Sequence, residues 1–151
     1  MKHVDVIATT RADLIAQAIT LRHAVFIGEV GRDRTVERDE IDDDAQHLIA
    51  LAGDDVVGTL RIYRLNPTDP DAKIGRVAVD RAFRGTGIGR SLMHAAHEHC
   101  RQAGFRSCYL HAEETAIGFY SALGYTALGD FFQEAGKPHR LMRLHLRATK
   151  P

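Results

Sequence analysis

Apolar residues recur at helical spacing in one part of the chain and in short runs elsewhere, a pattern typical of a mixed α/β domain. Leu14, Ala18, Leu21 and Val25 fall on one helical face, which predicts an amphipathic helix over residues 11–27. Two further helices are expected at 87–103 and 115–123, each followed by a glycine of the kind that ends helices. Shorter apolar runs predict strands at 4–8, 47–52, 56–65, 74–79, 107–112, 125–128 and 141–146.

The order of these elements indicates the fold class. Hairpin strands come first and a strand–helix–strand–helix–strand passage follows, which predicts an α/β (α+β) fold with a mixed sheet and helices on its faces. The 151 residues contain no repeat or linker, so we expect a single domain over 1–151. The polar segment 28–44 is longer than a simple connector, and ordered loops of that length are often functional.

Charge and composition limit the partners of this chain. The formal net charge is zero, which argues against non-specific nucleic-acid binding. No apolar run could span a bilayer and no signal-peptide core follows Met1, so we expect a cytoplasmic protein without a membrane partner. Cys100 and Cys108 are predicted to be buried free thiols. His97 and His99 point to different sides of a helix, so no metal site is expected.

One glycine-rich segment carries the strongest chemical signal. Arg84, Gly87 and Gly89 follow a predicted strand and open a predicted helix. Such a turn exposes backbone N–H groups at a helix N-terminus, where a phosphate or pyrophosphate binds. The spacing is neither a Walker A loop nor a Rossmann fingerprint. The alternative is a helix start that uses glycine only to make a tight turn.

Two segments of the chain resemble motifs of a known family. Segment 84–89 is similar to the acyl-CoA pyrophosphate loop of the GNAT superfamily of N-acetyltransferases, whose signature is Gln/Arg-x-x-Gly-x-Gly/Ala. Segment 116–125 is similar to the family's second motif, a helix that ends in Phe-Tyr-x-x-x-Gly-Phe/Tyr. The resemblance covers nearly the whole chain, and further matches narrow it to the ElaA-like branch at 22–26, 39–48, 74–79 and 134–142. It implies a centrally splayed sheet.

The chain departs from the pattern of that branch in three places. Residues 27–30 replace the usual Glu-Gln, residues 135–139 replace the usual Asp-Gly-Ile-Pro-His, and Glu113 stands where Gln is frequent. All three changes fall on the side expected to hold the acceptor, so they bear on acceptor identity more than on the cofactor.

The resemblance implies acetyl-CoA as a co-substrate. Val77, Ala78 and Val79 would pair with the pantetheine arm like an added strand, and the N–H at or near Val77 would polarise the thioester carbonyl. The pyrophosphate would be held by the loop and the first turn of the helix, namely Arg84, Gly85, Thr86, Gly87, Ile88, Gly89 and Arg90.

Tyr120 is the candidate general acid, because a neutral phenol near the sulfur can protonate the leaving thiolate. Its alternative role is that of a core aromatic. An amine acceptor must lose a proton before it attacks. The candidate bases are His111, Glu113, Glu134 and His139, each of which could instead be a structural or surface group.

Arg22, His47 and Arg76 belong to the matched segments and are predicted to contact the acceptor. The acidic run 37–44 could attract a cationic amine, or it could be a solvated loop. The leading function is acetyl transfer from acetyl-CoA to a primary amine of a small-molecule or peptidyl acceptor, by direct attack in a ternary complex. The alternatives are a non-catalytic acyl-CoA-binding sensor or interaction module and an unrelated nucleotide-phosphate binder. The pattern leaves a homodimer open.

Overall fold

The computed structural model describes residues 3–29 and 39–147. Its strands are β1 Val4–Thr9, β2 Gln46–Ala52, β3 Asp55–Tyr63, β4 Asp71–Val79, β5 Ser107–Glu113, β6 Thr126–Glu134 and β7 Lys137–His145. Its α-helices are α1 Ala12–Arg22, α2 Ile41–Asp44, α3 Ile88–Gln102 and α4 Ile117–Ala122. A π-helical turn, His23–Glu29, extends α1, and single 3₁₀ turns occupy Arg81–Phe83 and Glu114–Ala116.

The seven strands form one sheet in the order β1-β2-β3-β4-β5-β7-β6. Neighbouring strands are antiparallel except β4 and β5, which are parallel. The chain reaches β5 from β4 through α3, as a parallel connection requires. This mixed sheet confirms the predicted fold class.

The parallel pair is short. β4 and β5 are in register only at Asp71–Ser107, Ala72–Cys108 and Lys73–Tyr109. Both strands continue beyond these pairs, to Val79 and Glu113, without pairing again. A wedge therefore opens in the middle of the sheet, and the edge of β4 that faces it makes no hydrogen bonds to β5 there.

Each face of the sheet carries its own apolar core. On one face α3 packs through the fully buried Leu92, Met93 and Ala96. On the other face α1 packs on β3 and β4, and its Leu14 and Ala18 belong to a second core with residues of β2, β3 and β4. Among the described residues, the buried members of that second core include none from β5, β6 or β7. We call this part of the second face, formed by β5, β7 and β6, the open face.

The C-terminal strands are longer than the apolar pattern predicted. Segments 125–128 and 141–146 were expected, whereas β6 and β7 each have nine residues and form a hairpin. Polar residues enter these strands because cross-strand pairing, such as Phe132 opposite His139, decides their conformation. Ala135 (φ 49°) and Gly136 (φ 79°) make the two-residue turn, in which both φ angles are positive.

The first helix also differs from the prediction. An α-helix was expected over 11–27, but regular α-helical geometry ends at Arg22 and the π-helical turn carries the chain to Glu29. The apolar spacing continues through this turn, since Val25 and Phe26 are buried. Periodicity alone could not separate the two geometries, because both place these residues against the sheet.

Two further sequence expectations concern thiols and membranes. Cys100 and Cys108 are free and fully buried, as predicted. Their mutual hydrogen bond and their burial raise the pKa of the Cys108 thiol. Across 3–29 and 39–147, no helix has both the length and the apolar character needed to cross a bilayer.

Candidate active site

A bulge in β4 shapes the wall of the wedge. Thr59 lies opposite Ala78 and Arg61 lies opposite Gly75, so Arg76 and Val77 share one partner position on β3. Arg76 has a φ of 53°, in the left-handed region that non-glycine residues rarely adopt. A bulge of this kind bends the strand and redirects its groups, and such bulges are frequent next to active sites.

The wedge belongs to a cleft of about 760 Å³. Five parts of the chain line this cleft: the π-helical turn after α1, the bulged half of β4, the glycine loop with the start of α3, the end of β5, and the segment around α4. The residues singled out from the sequence that line it are Arg76, Val77, Ala78, Val79, Arg84, Gly85, Gly87, Ile88, Gly89, Arg90, His111, Glu113 and Tyr120. Those that do not are Thr86, Arg22, His47, Glu134 and His139.

Local hydrogen bonds fix the glycine loop. The Asp80 carboxylate accepts a hydrogen bond from the Ala82 N–H (2.9 Å), and the Arg84 Nε donates to the Val79 carbonyl (3.1 Å). Gly85 (φ 77°) and Gly87 (φ 88°) take backbone conformations that disfavour a side chain. These contacts hold the loop at the end of β4, directly before α3.

The N-terminus of α3 presents unpaired backbone donors to the cleft. Gly87 is its N-cap and supplies no capping side chain, and the first intrahelical bond runs from the Ser91 N–H to the Gly87 carbonyl (3.0 Å). The N–H groups of residues 88–90 therefore have no partner within the helix. Together with the helix dipole, they form an anion site that an exposed Arg90 borders.

Tyr120 reaches the cleft from α4. Its side chain is buried, and its ring makes edge contacts with Phe119 (centroids 5.0 Å apart) and Tyr125 (5.8 Å). The residue is therefore both a core aromatic and a cleft-lining phenol, so the two roles weighed for it do not exclude each other.

His111 and Glu134 form a hydrogen-bonded pair. The His111 Nδ1–H donates to a carboxylate oxygen of Glu134 at 2.8 Å. That bond makes Nε2 the proton-accepting atom of a neutral His111 ring. The hydrogen bond from His111 holds the pKa of Glu134 at about 2, well below its usual range. The sequence identified both residues as separate base candidates but did not reveal that they are partners.

His139 extends this pair into a cluster. Its Nδ1–H donates to the Lys137 carbonyl (2.9 Å), while its Nε2 lies 3.7 Å from the second carboxylate oxygen of Glu134. His139 is almost fully buried, and its ring stacks on Phe132. These positions favour a supporting role for His139 and direct access to the cleft for His111.

A buried ionic cluster lies beside the cleft. Asp42 is fully buried and receives two hydrogen bonds from Arg22 (2.7 and 3.1 Å) and one from Arg61 (3.0 Å). Arg61 also pairs with Asp39 (2.6 Å), which in turn lies 3.5 Å from Arg76. Burial alone would raise the pKa of Asp42, but the hydrogen bond from Arg22 and the nearby guanidinium charges lower it well below its usual range.

The cluster bears on the residues predicted to contact the acceptor. Arg22 and His47 are almost fully buried, and both bind Asp42, His47 through the backbone carbonyl (2.8 Å). Only Arg76 of the three lines the cleft, and burial together with the charges of Arg61 and Arg22 lowers its pKa. Of the acidic run 37–44, Asp39 and Asp42 therefore belong to the ionic cluster, whereas Glu40, Asp43 and Asp44 are exposed. Residues 37 and 38 lie outside the described residues.

His97 of α3 has a structural partner and does not belong to a group of metal ligands. His97 Nε2 and the Tyr125 hydroxyl are hydrogen-bonded at 2.7 Å, and burial lowers the pKa of His97 to about 4. Within the described ranges, no three His, Cys, Asp or Glu side chains are grouped as metal ligands.

Comparison with known proteins identifies the family. Residues 10–146 match the family model described as an acetyltransferase (GNAT) domain, so this chain belongs to the GNAT acetyltransferase family. The structure is similar to that of a candidate N-acetyltransferase from Lactobacillus plantarum, with a TM-score of 0.85, 34% identity, and coverage of 95% of this chain and 99% of that one.

The ElaA-like resemblance is likewise confirmed. Escherichia coli ElaA is 29% identical over 80% of this chain and 80% of its own length. Its crystal structure gives a TM-score of 0.77 at 25% identity, covering 95% of this chain and 99% of ElaA. The fold also matches an aminoglycoside 6'-N-acetyltransferase complexed with coenzyme A, with a TM-score of 0.74, 16% identity and 99% coverage of both chains. The family transfers acyl groups from CoA-linked donors to amines.

Proposed function

We propose that this protein transfers an acetyl group from acetyl-CoA to a primary amine of a small-molecule or peptidyl acceptor. The single observation that carries the proposal is the wedge between β4 and β5, because it joins an unpaired strand edge to an anion site in one cleft. An acyl-CoA needs both features, since its pantetheine arm carries amides and its pyrophosphate carries negative charge. A simple nucleotide needs only the second.

Val77, Ala78 and Val79 supply the strand edge. Their backbone groups pair with the amides of the pantetheine arm, as in strand addition. The N–H at or near Val77, next to the bulge, donates to the thioester carbonyl as it becomes an oxyanion. The residues of the glycine loop and helix start that line the cleft hold the pyrophosphate: Arg84, Gly85, Gly87, Ile88, Gly89 and Arg90. The aminoglycoside enzyme of the same fold is complexed with coenzyme A, which supports coenzyme A as the class of ligand.

His111 is the base we favour among the four candidates. It lines the cleft, whereas Glu134 and His139 do not, and Glu134 orients its ring. Nε2 of His111 accepts a proton from the amine, directly or through water, and the amine nitrogen then bonds to the acyl carbon. Glu113 also lines the cleft and is the rival base.

Tyr120 completes the transfer. As the carbon–sulfur bond breaks, its hydroxyl donates a proton to the leaving thiolate, and the phenolate regains a proton from the former amine nitrogen, directly or through water, which leaves a neutral amide. A phenol with an ordinary pKa of about 10 remains protonated at neutral pH and can serve in this way. Both substrates occupy the site together, so transfer occurs in a ternary complex without an acyl-enzyme intermediate.

The first experiment measures the thermal unfolding midpoint with acetyl-CoA, with free CoA and with ATP. A ligand at 100 times its dissociation constant adds about 2.7 kcal/mol to the free energy of unfolding, or several degrees for a chain of this size. We expect acetyl-CoA and CoA to raise the midpoint, and ATP to leave it nearly unchanged because it has no pantetheine arm. An equal rise with ATP would favour a nucleotide-phosphate binder.

The second experiment measures acetyl-CoA-dependent thiol release with a panel of primary amines. Turnover on any of them supports the enzyme. Tight acetyl-CoA binding without turnover on any amine would favour the acyl-CoA sensor.

A further inference from the structure

A row of alternating aromatic and cationic side chains crosses the sheet from β3 and β4 onto the open face. Successive strands place Tyr63, Lys73, Tyr109 and Arg143 opposite one another, because Tyr63 is in register with Lys73, Lys73 with Tyr109, and Tyr109 with Arg143. Residues opposite one another in adjacent strands project from the same face. Cys108 and Leu110 belong to the core under α3, so Tyr109 and its row project from the other side.

The two cations of this row make no direct ion pair with a carboxylate of the described residues. Among the described residues, neither Lys73 nor Arg143 has an ion pair within 4 Å, and the buried Nε of Arg143 has no hydrogen-bond partner. The neighbouring carboxylates are already used: Asp71 binds Arg106 (3.1 Å) and Ser107 (2.6 Å), and Glu134 binds His111. Lys73 and Arg143 therefore flank Tyr109 without a direct ion pair, although their charges help to lower the pKa of Glu134 and of Asp71, respectively.

The two tyrosines of the row interact with these cations or lie between them. Lys73 Nζ lies 5.8 Å from the centroid of the Tyr63 ring, within the range of a cation–π contact. Burial and the nearby Asp69 raise the pKa of Tyr109 to about 12, so its hydroxyl stays protonated and remains a hydrogen-bond donor. Lys73 and Arg143 lie two strands apart, about 10 Å, a span that long side chains on both sides can close around one anion.

The row lies next to His111, the candidate base, along β5. His111 and Tyr109 are two residues apart on β5, which is about 7 Å along the strand, and they project from the same face. Opposite His111 lies Leu141, and opposite Leu141 lies Leu128, which is well exposed. The row of His111 therefore continues across the sheet into exposed and partly buried leucines, and the row of cations lies beside it, about 7 Å away along the strands.

We propose that Lys73 and Arg143 bind an anionic group of the acceptor, a carboxylate or a phosphate, separated from the reacting amine by an apolar spacer. This inference rests on the proposed function, since it assigns the acceptor class of that same site. The separation favours an acceptor whose anionic group lies several bonds from the amine over an α-amino acid that reacts at its own α-nitrogen. An ω-amino acid or the side-chain amine of a free lysine spans the distance.

The test compares three matched amines: n-hexylamine, ε-aminocaproate and aminohexyl phosphate. Their binding is measured by calorimetry on the protein saturated with CoA, which needs no turnover. We expect at least one anionic amine to bind about tenfold more tightly than n-hexylamine. Lys73→Gln and Arg143→Gln should each remove most of that preference. Arg101→Gln, on α3 behind the sheet, is the matched control and should retain it.

Each result decides one question. The anionic amine that binds more tightly identifies carboxylate or phosphate as the group recognised. Equal binding of all three amines by the wild type, or a preference that survives in both variants, overturns the proposal. Thermal midpoints of the variants check that they fold.

Kinetics on the same amines separates this proposal from the proposed function. The variants should lose kcat/KM for the anionic acceptor and keep kcat for n-hexylamine. If no amine is acetylated but the binding preference persists, the proposed function fails and the anion site stands.

Discussion

The two sides of the wedge present different kinds of polar group, main-chain groups on one side and side chains on the other. On the side of α3, the cleft is made of main-chain groups: the free edge of β4, a turn with two positive φ angles and an uncapped helix start. On the open face and beside α2, the polar groups are side chains, such as His111 with Glu134 and Arg22 with Asp42. Main-chain donors do not depend on side-chain identity, so they suit a ligand that stays the same. Side chains can be replaced by mutation, so they suit a ligand that differs from one protein to another. In the proposed function, the cofactor and the acceptor thus bind on different sides of the wedge.

The largest effect is expected at Tyr120, because its side chain is assigned to proton transfer and not to cofactor binding. Tyr120→Phe removes only a hydroxyl, so we expect kcat to fall about 10³-fold while acetyl-CoA affinity is retained, because proton donation is lost and the main-chain contacts are not. Steady-state kinetics and calorimetry measure the two quantities.

Tyr125→Phe is the matched control, since Tyr125 belongs to the same aromatic cluster but does not line the cleft. It should lower the thermal midpoint by breaking the hydrogen bond to His97, and it should leave kcat unchanged. A small change in kcat for Tyr120→Phe would assign Tyr120 to the core alone.

The buried ionic cluster should control stability on the acceptor side. Asp42→Asn leaves Arg22 and Arg61 without their shared carboxylate, and the loss of one partner of a buried pair costs about 3 kcal/mol. The midpoint should fall by roughly 10 °C for a chain of this size. Asp13→Asn, which breaks the exposed pair with Arg11, should leave the midpoint nearly unchanged.

The same cluster predicts a pH dependence of stability. Because the folded pKa of Asp42 lies below its ordinary value of about 4, the cluster stabilises the protein above that pH, and the contribution is lost as the pH falls below it. Acid titrations of the wild type and Asp42→Asn, followed by circular dichroism, should therefore converge at low pH. Parallel curves down to the end of both titrations would contradict this account.

Substitution of His111 tests which side chain removes the amine proton. His111→Gln should lower kcat/KM about 10²-fold at neutral pH. The loss should shrink as the pH approaches the pKa of a lysine-like amine, about 10.4, because the acceptor then needs no base. Glu134→Gln should have the same sign and a smaller size, since it removes the group that orients the ring.

His94→Gln, an exposed histidine of α3, is the control for this experiment and should leave the pH profile unchanged. A pH-dependent loss in Glu113→Gln with none in His111→Gln would make Glu113 the base instead.

The smallest effect is expected in the glycine loop. Gly87→Ala forces a side chain into a backbone with φ 88° and should weaken CoA binding about tenfold, because strain of about 1 kcal/mol displaces the N–H groups. Gly118→Ala, inside α4 with nothing within 4 Å of the added methyl, is the control and should keep the affinity. Equal affinities for both variants would mean that the turn geometry does not control pyrophosphate binding.

The cofactor side was largely predictable from the sequence. Nine of the ten residues assigned to CoA line the cleft, and only Thr86 does not. Turn and helix-start chemistry is local: a strand, two glycines with positive φ and an uncapped helix are encoded within a few consecutive residues.

The acceptor side was less predictable. The sequence singled out His111 and Glu134 separately, 23 positions apart, and gave no sign that they are partners. It placed Arg22 and His47 among acceptor contacts, whereas both are buried against Asp42. It gave no indication of the row formed by Lys73, Tyr109 and Arg143, because strand register, which no local pattern specifies, brings these residues together.

The sequence by itself determined the class of the sheet, the helix that follows the glycine loop and the family to which the chain belongs. The tertiary structure decided where β4 and β5 stop pairing, how far the C-terminal hairpin extends and which charges are buried together. The physical reason is that turns and helix starts depend on neighbouring residues, whereas register and burial depend on contacts between distant ones. Arg61 meets Asp39 across 22 positions only because β3 and the segment before α2 pack together.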